Sequence, residues 1–107
     1  MPELKIIIDK PAKNLTVLRL SGDFEGQSVL DAKEKLLSEV EQSAGSNMML
    51  DFAGIQYIDS AAVGILLEMM KLAHAKGTQF ALIHLNEPVK KVFALTRLDK
   101  VIKIYDE

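Results

Sequence analysis

Asp59 and Ser60 are the residues of this chain whose types and spacing best suit chemistry, a carboxylate followed by a hydroxyl where an apolar segment gives way to a helix. Met48-Met49-Leu50-Asp51-Phe52 reads as a short strand, and Ile65 through Ala73, rich in Leu, Met and Ala, reads as helix. Asp59 then falls at the helix N-cap, where a carboxylate accepts from backbone N–H groups that have no partner within the helix. Ser60 follows in the first turn, facing solvent, and the positive end of the helix dipole favours a phosphate placed there. Ser60 is therefore a candidate phosphorylation site. Asp and Ser also begin helices for capping reasons alone, so position by itself does not separate the two roles.

Other chemistry is poorly served. The two histidines, His74 in a helix tail and His84 at a strand end, lack the spacing of a metal pair and read as structural or surface residues. Gly22, Gly26 and Gly54 are too far apart for a phosphate-cradling loop and lack the following Lys-Ser/Thr. Ser60 has no Gly-x-Ser-x-Gly context. The pattern argues against an enzyme, and no cofactor or metal is expected.

The elements that must position Asp59 and Ser60 follow from periodicity. Leu4–Asp9 and Leu15–Leu20 are β-rich runs around the turn Lys10-Pro11-Ala12-Lys13-Asn14, which predicts an antiparallel hairpin. Ser28 is the predicted N-cap of a helix to about Gln42, with Val29, Ala32, Leu36, Leu37 and Val40 on its apolar face and Asp31 paired with Lys35 outside. Gly45-Ser46-Asn47 breaks that helix before the strand Met48–Phe52. The second helix ends near Lys76-Gly77, Phe80–His84 is the next strand, Glu87-Pro88 opens a third helix, and Val101–Ile104 is the last strand. Strands alternating with helices need crossover connections. The predicted fold is thus α/β, a single-layer, mixed but mainly parallel sheet of about five strands with helices packed on it.

The first half of the second helix, Ala61 to Leu67, is apolar all round, more than a helix lying on a sheet needs. Either the neighbouring helix covers the surplus, or part of it, with Met69 or Met70, forms a docking face with Ser60 at its edge. A phosphate there would bring about −1.5 to −2 charges beside Asp59.

With 107 residues and 49% hydrophobic content, one domain over residues 1–107 is expected. There is no cysteine, and no charged-then-apolar leader is visible, so a cytoplasmic protein is expected. The apolar run Ala61–Leu67 is far short of the roughly 20 residues of a membrane helix. Net charge is −2, and the basic residues are scattered, which argues against direct nucleic-acid binding.

The segment Leu50 to Gly64, with a strand ending in Asp51, a short loop, then Asp59-Ser60-Ala61-Ala62-Val63-Gly64, resembles the motif of the STAS domain family, named for sulphate transporters and anti-sigma factor antagonists. The similarity extends upstream to Gly22-Asp23-Phe24-Glu25, which matches the family's Gly-Glu-Leu-Asp turn, and downstream through Lys76–Leu82 and Val89–Ile104. Ala62 stands where the family usually has Gly, and the chain does not show the C-terminal helix of many members. Among such proteins the chain most resembles the bacterial anti-sigma factor antagonists. The resemblance implies that the unmodified protein binds an anti-sigma factor that is also a serine kinase of the histidine-kinase-like ATPase class. Phosphorylation of Ser60 would end the binding and a serine phosphatase would restore it. It further implies that Asp23, Glu25, Asp59, Ala61, Ala62, Val63 and Gly64 meet the partner and that the protein is a monomer. A subunit of a transporter ATPase or of a stress-signalling scaffold, or a small-ligand module taking a nucleotide or lipid, are the alternatives.

Overall fold

The computed structural model describes residues 3–105. Five strands form one sheet in the order β1-β2-β3-β4-β5, namely β1 Lys5–Ala12, β2 Leu15–Ser21, β3 Asn47–Gly54, β4 Gln79–Ile83 and β5 Lys103–Tyr105. β1 and β2 are antiparallel and every later pairing is parallel, the mixed sheet that the alternation of elements predicts. The connections are α1 Gly26–Gln42, α2 Ser60–Ala75 and α3 Glu87–Leu95, with a short 3-10 turn at Leu98–Lys100 before β5.

One contiguous core joins all three helices to one face of the sheet. Leu18, Leu20, Met48, Leu50, Phe52 and Leu82 point from the strands into Val29, Leu36 and Val40 of α1, Ala62, Ile65, Leu66 and Met69 of α2, and Val89 and Phe93 of α3. Phe52 centres it, with its ring 5.9 Å from that of Phe24 and 6.5 Å from that of Phe93. The predicted apolar face of α1 is the buried one. Because α1 packs along α2, the surplus apolar surface of α2 is covered by its neighbour: Met69 is fully buried and Met70 half-buried. Met69 therefore forms no part of a docking face, against that expectation.

Element limits differ from the predicted ones for local reasons. β1 runs on through Pro11 to Ala12, with a shift of register after Asp9, and the turn shrinks to Lys13-Asn14. Proline is tolerated because β1 is an edge strand whose outward N–H has no ladder partner to lose. α1 begins at Gly26, before Ser28, and Asp31 accepts from Gln27 Nε2 at 2.9 Å in place of Lys35. β4 stops at Ile83 because His84 turns to φ 65°. The last strand starts at Lys103, since the amides of Val101 and Ile102 both still donate to Leu98 O and prolong the 3-10 turn. The predicted end of α2 holds, with Gly77 at φ 71°.

Candidate functional site

Ser60 is the first residue of α2 and is exposed, and Asp59 is its N-cap with extended backbone. Asp59 Oδ1 accepts from the Ala62 amide at 3.1 Å, and its backbone carbonyl accepts from Val63 N at 3.0 Å. The second carboxylate oxygen reaches a different helix: Oδ2 accepts from the Gly26 amide, the first residue of α1, at 2.9 Å. Glu25, the N-cap of α1, makes no side-chain cap bond of its own. One carboxylate thus caps two helices, and this explains why α1 starts ahead of Ser28.

The loops that carry these residues are fastened together below the surface. Phe24 and Ile58, both fully buried, form an isolated parallel bridge, which brings the Asp23–Glu25 turn alongside Ile58–Ser60. Gly22 N donates to Gly54 O at 3.3 Å beneath them. Gly54 has no room for a side chain, because a Cβ there would stand 2.7 Å from Ser21 Cβ and 2.8 Å from Leu20 O. Asn86 closes the far side. Its Oδ1 caps α3 by accepting from Val89 N, while its Nδ2 donates to Ile55 O and Gln56 O, in the loop that leads to Asp59.

Of the residues expected at the site, Asp23 and Glu25 therefore lie beside Asp59 and Ser60, half-buried. Gly64 is exposed and Ala61 and Val63 are half-buried, but Ala62 is fully buried, so only its amide serves the site, through Asp59. Its methyl group packs in the core, where the family's usual Gly would leave that volume to others. Tyr57 is exposed three residues ahead of Ser60, a neighbour that its residue type alone does not announce. Gly26 and Asn86 also escape a reading of the sequence; the second has a readable signal, an Asn directly before Glu-Pro at a helix start.

Asp51, where the motif's strand is expected to end, instead lies inside β3, which runs on to Gly54; it is buried at 5% exposure and faces away from the helices. Its Oδ1 accepts from Ala53 N at 2.9 Å and lies 2.8 Å from His84 Nδ1, and its Oδ2 accepts from Arg19 Nη1 at 3.1 Å. Arg19 reaches on to Asp9 at 3.0 Å. Burial pushes the Asp51 carboxyl up, yet the Ala53 amide, His84 and Arg19 together outweigh it and hold the group below its ordinary value. His84 thus has a structural partner, while His74 is exposed in the last turn of α2. Among the described residues no group of three or more His, Cys, Asp or Glu could hold a metal ion, and no helix is long and apolar enough to cross a membrane.

The model of the STAS domain matches residues 7–107. The chain is 24% identical over 94 residues, 88% of its length and 80% of the relative's, to an anti-sigma F factor antagonist of Paenibacillus polymyxa. It is 25% identical over 95 residues, 89% of its length and 85% of the relative's, to the anti-sigma-B factor antagonist of Bacillus subtilis. The structure of the Bacillus cell fate determinant SpoIIAA in its phosphorylated form superposes with a TM-score of 0.73 at 21% identity, covering 96% of this chain and 91% of that one, a likeness of fold. Motif, sheet order and family match agree over nearly the whole sequence, and the chain belongs to the STAS domain family.

Proposed function

We propose that this chain is a cytoplasmic anti-sigma factor antagonist of one domain over residues 1–107, switched by phosphorylation of Ser60. Unmodified, it binds as a monomer to an anti-sigma factor that is also a serine kinase of the histidine-kinase-like ATPase class, and so frees a sigma factor. Phosphorylation ends the binding, and a metal-dependent serine phosphatase restores it. The observation that carries the reading is the exposed Ser60 hydroxyl at the first position of α2, beside a carboxylate with both oxygens already engaged. A kinase can reach that hydroxyl without unfolding anything. Once added, the phosphate is favoured by the helix dipole by about 0.3–1 kcal/mol and opposed by the fixed charge of Asp59 to a similar extent, so the fold has no reason to change. The partner, in contrast, must accommodate about −1.5 to −2 charges at its contact with Asp23, Glu25, Ala61, Val63 and Gly64.

The test is capture of partners on the native chain, then incubation with the captured kinase and ATP. One phosphate, at Ser60 and absent from Ser60→Ala, is expected. Modification at Ser21, Ser28 or Thr96 would overturn the assignment, and capture of a transporter ATPase in place of a kinase would favour the subunit reading.

A further inference from the structure

The helices all lie on the Leu18, Leu50 and Leu82 side of the sheet, and among the described residues the opposite side has no helix over it. That is unusual for the four parallel strands β2 to β5, since parallel sheets are normally covered on both faces. The bare face has a regular cross-strand row. Asp9 pairs with Val17, Val17 with Met49, Met49 with Ala81 and Ala81 with Lys103, one residue from each strand. An acid stands at one edge, a base at the other, and three apolar residues between. The adjoining row on the same face is Ile7, Arg19, Asp51, Ile83 and Tyr105.

We infer that this face is the contact of a weak two-fold dimer, in which Asp9 of each copy pairs with Lys103 of the other. A two-fold axis along the central strand β3, in the plane between two such faces, exchanges the sheet edges. It sets Asp9 over the second copy's Lys103, Val17 over Ala81 and Met49 over its own counterpart, with Ile7 meeting Tyr105 in the next row. With strands about 4.8 Å apart, both charges stand about 10 Å from β3, so the exchange brings them into register. Charge balances as well. Asp9, Arg19, Asp51 and His84 form one bonded group with a single net negative charge when His84 is neutral, and the second copy's Lys103, which lies over its own Tyr105 ring, supplies the positive one. Aligned packing of two sheets at about 10 Å is an ordinary arrangement. Val17 and Ala81 are already buried among their neighbours, so the area newly covered comes mainly from Met49, Ile83, Ile7 and Tyr105. A face about 19 Å wide, across which all five strands are paired only in the rows from Ala81 to Ile83, falls short of the roughly 800 Å² per partner of a standard interface, which makes the dimer transient and leaves the monomer prevailing in dilute solution. It leaves the Ser60 end of α2 outside the contact and does not depend on the proposed switch.

Sedimentation equilibrium of the full chain from about 10 µM to about 1 mM is the test, the range in which so small an interface acts. The expected result is a reversible monomer–dimer equilibrium. Lys103→Asp, which leaves the bonds of Arg19 untouched, weakens it at least tenfold, Asp9→Lys does the same, and the double swap returns it to within about threefold of the parent. Circular dichroism confirms that each variant is folded. A chain that stays monomeric throughout, a dimer indifferent to Lys103→Asp, or a folded double swap that fails to recover would each overturn the proposal.

Discussion

The Asp59 carboxylate accepts the Gly26 amide at 2.9 Å while its other oxygen caps its own helix at Ala62, so the starts of α1 and α2 share one anion. The residue before the candidate phosphoacceptor is thereby held rigidly, and its charge cannot swing away from an incoming phosphate.

Asp59→Ala removes the acceptor for both helices at once. A lost cap costs about 1 kcal/mol, so about 2 kcal/mol is expected here, and a melting temperature lower by roughly 8–16 °C. Asp59→Asn keeps one carbonyl oxygen and should lose about half as much. Thermal denaturation of both variants checks this; a loss of about 1 kcal/mol for Asp59→Ala with none for Asp59→Asn would mean that the bond to Gly26 contributes nothing.

Two glycines near the site should respond in opposite directions. Gly54→Ala forces a methyl group against Ser21 Cβ and Leu20 O and is expected to cost about 1–3 kcal/mol. Gly64 lies inside α2, and a Cβ added there would meet nothing within 4 Å, so Gly64→Ala should stabilise by up to about 1 kcal/mol. Urea denaturation of the two measures the contrast.

Asp51 links stability to acid. Its folded value is depressed, so its contribution is full above the ordinary carboxylate value near 3.9 and is lost as pH falls through the lower folded value. Asp51→Asn should therefore be less stable than the parent at neutral pH, by about 1.5–3 kcal/mol, and the difference should shrink as pH falls below about 4. Urea midpoints for both chains between neutral and acid pH decide it, and a difference that grows on acidification would contradict the assignment.

Much of this could be read along the chain. The mixed sheet, the buried stripe of α1 and the cap at Asp59 are local patterns of spacing and residue type, so they are legible. The bond from Asp59 to Gly26 joins residues far apart in sequence, and nothing near Gly26 announces it; Ser28 looks like the better cap until the two helices are seen side by side. Met69 fails for the same reason. Its flexible apolar side chain suits a docking face or a core equally, and only the packing of α1 against α2 decides for the core. Asp51 is readable as a strand residue, but the continuation of that strand to Gly54 is not, and the network of Asp51 with Arg19, His84 and Asp9 depends on the register of three strands.

Ser60→Asp tests the effect of charge without a kinase. It should weaken binding of the anti-sigma factor at least tenfold, about 1.4 kcal/mol, while Ser60→Ala binds as the parent does. Equal affinities in calorimetric titration would place Ser60 outside the contact.

Calorimetric titration of the captured anti-sigma kinase with the phosphorylated and the unmodified chain decides whether a phosphate on Ser60 breaks the protein contact. Binding by the unmodified chain is expected, with an affinity at least tenfold lower after phosphorylation, about 1.4 kcal/mol, and phosphatase treatment restoring it. Equal binding by the two forms would contradict the proposed switch.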